Sequence, residues 1–110
     1  MSIPIVVTGD DIAIAVTLKR NGAVFAINPG ATVKARLVDV DHENAYTAEV
    51  AQSSSAPGAD WSVSLVSVQF APADTTTITY QGLAKLEIQV DDAIKSTWFV
   101  PVVIRRGSIT

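Results

Sequence analysis

Large apolar residues recur at every second position over much of this chain. From Asp11 to Arg20, Ile12, Ile14, Val16 and Leu18 share one parity, while Ala13, Ala15, Thr17 and Lys19 hold the other. Successive side chains of a strand point to opposite faces, so the four large residues line one face. A helix would scatter them around its circumference. Asn21-Gly22 follows directly, a pair that tolerates positive φ at both turn positions and predicts a hairpin. The return strand spans Ala23 to Ile27 and ends at Asn28-Pro29-Gly30, where Pro fixes φ and Gly accepts the left-handed turn position. Next, Thr32 to Val38 turns Val33, Ala35 and Leu37 inward and Lys34 and Arg36 to water. One wet face is the mark of an antiparallel sheet.

Asp39 to Asn44 reads as an acidic turn, Ala45 to Val50 as a weaker, edge-like strand, and Gln52 to Gly58 as a loop. Trp61, Val63 and Leu65 alternate with Ser62 and Ser64, and then Val66, Val68 and Phe70 alternate with Ser67 and Gln69 on the opposite parity. A β-bulge or a break into two strands accounts for the change. Pro72 to Thr77, rich in Thr, sustains one helical turn at most. Beyond Gly82, Ala84, Leu86, Ile88 and Val90 oppose Lys85, Glu87 and Gln89. After the Asp91-Asp92-Ala93 turn, a long strand from Ile94 to Ile104 is apolar on both faces: Trp98, Val100, Val102 and Ile104 on one, Phe99, Pro101 and Val103 on the other. Pro101 lacks a ladder donor and predicts an edge position or a bulge. Arg105 to Thr110 reads as a trailing end.

About eight strands, turn signals near every ten residues and no long helix predict one all-β domain over residues 1–110, an immunoglobulin-like antiparallel β-sandwich. Length agrees: 110 residues suit a single domain. Hydrophobic residues make up 48% and charged residues 17%, which excludes a charge-rich disordered chain. No repeat of fixed period points to a solenoid or propeller. The net charge of −3 speaks against nucleic acid and anionic membrane as partners, since both select basic faces. Without cysteine there is no disulfide, thiolate zinc site or cysteine nucleophile. The N-terminal Met1-Ser2-Ile3-Pro4-Ile5-Val6-Val7 has no basic region and too short an apolar run for a signal peptide, so synthesis in the cytoplasm of the producing cell is expected. No apolar stretch has the length of a membrane span.

Candidate chemistry is sparse. His42, the single histidine, sits in Asp39-Val40-Asp41-His42-Glu43. On a strand Asp39 and Asp41 would share a face, but calcium takes six to eight oxygens, usually from a glycine-bent loop, and a solvated acidic turn accounts better for the segment. No carboxylate here has the buried setting a general acid needs, and no nucleophile-elbow motif offers a serine. Gly9-Asp10-Asp11 reads as a tight turn guarding a strand end. Trp61, Tyr80 and Trp98 are the aromatics that a carbohydrate platform would use. Trp61 and Trp98 keep register with core aliphatics and Tyr80 does not, which makes Tyr80 the exposed member. The expectation is a protein without catalytic residues, metal or cofactor. Its interaction candidates are Phe99, Val103 and Tyr80, and the carbohydrate-binding module is the alternative.

Four stretches together carry a resemblance. Thr8-Gly9-Asp10-Asp11-Ile12 opens the first long strand, and Arg20-Asn21-Gly22-Ala23-Val24 makes its hairpin. Ile27 to Val33 and the pairing of Leu86–Asp92 with Trp98–Ile104 complete the set. In this order they resemble the N-terminal β-sandwich domain of phage baseplate upper proteins and the short phage tail proteins of the same pattern. The resemblance implies a virion building block that docks on other phage structural proteins or on copies of itself, without catalysis. Family members usually continue into a helical or receptor-facing region, so a small free-standing tail or virion protein, made in the host cytoplasm, is the expectation here.

Overall fold

The computed structural model describes residues 3–107 and is predominantly β-strand, as the alternation requires. Nine strands are seen among the described residues: β1 (Ile5–Thr8), β2 (Ile12–Thr17), β3 (Lys19–Arg20), β4 (Ala23–Val24), β5 (Thr32–Val38), β6 (Val50–Gln52), β7 (Leu65–Phe70), β8 (Gly82–Asp91) and β9 (Lys95–Arg106). One short helix, α1 (Pro72–Thr75), follows β7. Five strands form one curled sheet in the order β1-β9-β8-β5-β6, β2 pairs with β7, and β3 with β4. The five-stranded sheet and the β2–β7 ladder bury their apolar faces in one shared core. Ile12 and Ile14 of β2 and Val66, Val68 and Phe70 of β7 supply one side. Val33, Ala35, Leu37, Ala84, Leu86, Ile88, Val90, Val102 and Ile104 supply the other. The parity read from the sequence is therefore the parity of burial in β2, β5 and β8.

Several expectations are corrected. The sheet is mixed rather than wholly antiparallel, because β1, which the periodicity does not single out, runs parallel to the last strand with Ile5 beside Val103 and Thr8 beside Arg106. Arg105 and Arg106 thus belong to β9 and are not a trailing end; Ser108 to Thr110, like Met1 and Ser2, lie outside the described residues. The change of parity after Leu65 is a break: Trp61–Val63 form a 3-10 turn and Ser64 takes φ 62°, so β7 begins only at Leu65. Trp61 is buried all the same, whereas Val63 is exposed. The return strand forms a ladder only at Ala23 and Val24; Phe25 N–H still donates to Leu18 C=O, and its ring packs against Trp98.

The weak strand expected at Ala45–Val50 is displaced and interrupted. Ala45 bridges Val38, Tyr46 N–H donates to Leu37 C=O, Leu37 N–H donates to Thr47 Oγ1, and regular pairing resumes only at Val50. Pro101 meets its expectation in part. β9 lies inside the sheet, but β1 covers only its last residues, so Pro101 sits where one side of β9 is open. Val103 N–H donates to Pro4 C=O on that side, and residues two apart in a strand direct their bonding groups alike. The donor that Pro101 lacks would have faced the open side, so the β8 ladder loses nothing.

Candidate interaction surface

The outer face of the five-stranded sheet divides into a charged half and an apolar half. Strand register sets the division. Arg36 on β5 faces Glu87 on β8, and its Nε donates to Glu87 Oε1; Lys34 stands 4.0 Å from Glu49. At the other end, Val103 on β9 lies between Ile5 of β1 and Leu83 of β8, so three aliphatic side chains form a row across three strands. Ile5 is 54% exposed and Leu83 56%, with Val103 half-buried between them. Pro101 and Phe99 extend the row along β9 on the same face. Single exposed aliphatics are ordinary on a protein surface, but here three adjoin across three strands.

Phe99 is 39% exposed because His42 lies over it, ring centroids 3.8 Å apart and planes within 5°. The acidic turn makes this reach possible. Asp39 Oδ1 accepts from Glu43 N–H at 2.8 Å and Oδ2 from the Asn44 amide at 3.1 Å, while His42 takes φ 61°. Lost hydration pushes the Asp39 carboxyl up, but the hydrogen bonds from Glu43 and Asn44 outweigh it and hold the group below its ordinary 3.8. Asp39 and Asp41 are therefore turn residues rather than a strand-borne pair, and the imidazole is engaged by an aromatic ring. No group of three or more metal-ligating side chains stands together among the described residues.

Tyr80 borders the apolar row without joining it as an open platform. Its hydroxyl donates to Leu83 C=O at 2.7 Å and its ring stacks on Tyr46, centroids 5.0 Å apart. Gly82 makes room: its φ is 132°, and a Cβ there would stand 2.9 Å from the Tyr80 hydroxyl. Burial, followed by the Tyr80 and Asp39 charges, raises the Tyr46 phenol above its ordinary 10.0. The other two aromatics have separate partners. Trp61 is in the core. Trp98 is covered by Arg20, 4.2 Å from its ring centroid, meets Phe25 edge-on, and donates its indole N–H to Lys19 C=O.

A groove of about 430 Å³ lies at the ends of β2 and β7, with Asp11 and Asp74 among its lining residues. Asp74 accepts from Ala71 N–H at 2.7 Å and caps α1, so it serves the fold. Sequence reasoning put Phe99 and Val103 together on one face of the last strand, and both lie on the outer face of the sheet. It missed Ile5 and Leu83, since neighbours across a sheet are set by register and not by local spacing. No family model, curated protein or solved structure matches this chain.

Proposed function

We propose that the chain is a non-catalytic structural protein of a phage virion, of the tail or baseplate, that assembles through protein–protein contacts. In this reading the five-stranded sheet and the β2–β7 ladder are the two layers of an immunoglobulin-like sandwich, built as a rigid carrier for its outer face. The observation that carries the proposal is the Ile5–Val103–Leu83 row, exposed on a firm sheet and continued by Pro101 and Phe99. Burying such a row against another structural subunit removes apolar area from water at roughly 25 cal/mol per Å², with little ordering cost on this side because the sheet is already fixed.

The test is Leu83→Asp in a phage that encodes this chain. Particles purified by density gradient should contain the wild-type chain and lose the variant by tenfold or more, while the variant's melting temperature stays unchanged. Capsid, tail-tube or tape-measure genes beside the coding sequence are the accompanying genomic expectation. Purified particles free of the wild-type chain would overturn the proposal.

A further inference from the structure

The β2–β7 ladder is only two strands wide, and its two edges are treated differently. On the β7 side, Gln69 N–H donates to Gln52 Oε1 at 2.8 Å, and Gln52 Nε2 donates back to Gln69 C=O at 3.2 Å. Gln69 thus turns both backbone groups away from β2. So does Leu65, which exchanges both its bonds with Asp60. Gln69 is registered with Ala13, Ser67 with Ala15 and Leu65 with Thr17, so these are the wide, unbonded pairs of an antiparallel ladder. Ala13, Ala15 and Thr17 must then direct their own N–H and C=O groups away from β7. Among the described residues no strand lies alongside them there, and all three are exposed.

Between Ile12 and Thr17 nothing among the described residues guards this edge; just beyond, the Trp98 indole caps Lys19 C=O. From Ile12 to Thr17 there is no proline, charge or bulge, the usual devices that keep an edge from pairing. The open side of β9 differs, since it carries Pro101 and has Thr97 C=O occupied by the Arg20 guanidinium. We propose that β2 pairs antiparallel with β2 of a second copy of this chain, about a twofold axis at Ala15.

The sequence of β2 and its flanks is self-complementary in that register. Ala15 meets Ala15 of the second copy and Ala13 meets Thr17, so every outward N–H and C=O of the three residues finds a partner. On the outer face only small side chains meet. On the inner face Ile14 comes opposite Val16, a β-branched pair that suits a ladder and covers the half-buried Val16. Charge selects the same register. Asp11 comes opposite Lys19, and neither has a salt-bridge partner within the chain among the described residues. A second copy satisfies both ends at once, whereas a shift of two residues separates these charges. The product is a four-stranded layer, β7-β2-β2-β7, facing the two five-stranded sheets. This edge is separate from the Ile5–Val103–Leu83 row, so the pairing does not depend on what docks there.

Cysteine scanning and sedimentation of the full chain test the pairing. Because the chain has no cysteine, Ala15→Cys introduces a single thiol. In a bonded antiparallel pair its Cα lies about 5.5 Å from its counterpart, within disulfide reach. Ala13→Cys lies more than ~13 Å from its own counterpart. Mild oxidation should therefore cross-link the first variant and leave the second unlinked. Wild type should sediment at twice 11.6 kDa at tens of micromolar. Ala15→Lys, at an exposed position, should remain monomeric at tenfold higher concentration with unchanged circular dichroism. Lys19→Asp should weaken dimerisation by roughly three- to tenfold, and Asp11→Lys in the same chain should restore it. Monomeric wild type up to about 1 mM would overturn the proposal. Equal cross-linking of both cysteine variants would do so too, as would a dimer that survives Ala15→Lys and is lost in Leu83→Asp.

Discussion

The two sides of the β2–β7 ladder present the same problem and different solutions. Each leaves a row of backbone donors and acceptors without a strand beside it. At β7 one primary amide, that of Gln52, matches both bonding groups of Gln69 and joins the ladder to the edge of the five-stranded sheet. At β2 no side chain among the described residues does this, and Ala13, Ala15 and Thr17 remain open. A carboxamide suits the task because it carries an acceptor and a donor at the spacing of a peptide group. The comparison teaches that an edge is closed by its hydrogen-bonding inventory, and that a short neighbouring strand such as β6 suffices if it supplies that inventory at one position.

The strongest perturbation should remove the support common to both sides. Phe70 is fully buried at the end of β7. Phe70→Ala should cost about 3–5 kcal/mol in chemical denaturation. It should also raise amide exchange along both β2 and β7, since neither edge holds the ladder without its core face. Loss of protection at β7 alone would show that β2 is held by something else. Gln52→Leu isolates the closed side: it strips Gln69 of both partners in a half-buried setting, for a loss of about 1–3 kcal/mol. The faster exchange should centre on the Gln69 amide and leave the Ile14 and Val16 amides protected. If Gln52→Leu costs nothing, water replaces the amide and the distinction between the two sides falls.

The smallest effect concerns another carboxyl-family side chain that serves backbone donors, this one in the open. Asp39 ties the β5–β6 turn, and its carboxyl is held below 3.8. A depressed carboxyl contributes stability that is complete above its ordinary pKa and disappears as pH falls through the lowered one. The Glu43 amide proton, bonded to Asp39 Oδ1, should keep its downfield resonance down to about pH 4 and lose it below 3.8. Asp39→Asn should abolish the acid transition, and a shift that persists unchanged to pH 2 in wild type would refute the link.

How much of this was legible follows from what a strand encodes locally. Burial alternates within one segment, so the inward faces of β2, β5 and β8 were readable from Ile12, Val33 and Ala84 onward. Partners are chosen at a distance, and there the reading fails. Ile5-Val6-Val7 is a β-branched run, but nothing within it specifies that Ile5 lies beside Val103. Gln52 opens a serine-rich stretch and looks like loop, although its amide completes a ladder. Trp61, Val63 and Leu65 alternate as a strand would, and the αL residue Ser64 still breaks them into a turn. The surface shows the same division. The shared face of Phe99 and Val103 was readable because their own strand is two-sided, whereas the placing of Ile5, Leu83 and the His42 stack beside them depends on register across the sheet.

The parallel union of β1 and β9 sets how the domain bears load. Ile5 and Arg106 lie at opposite ends of that pair, so tension applied through the two ends of the chain runs along the strands. The rungs between them are then strained together and must fail together, rather than opening one after another as in a hairpin pulled from its mouth. A fold fastened this way resists stretching far better than its modest core alone would suggest.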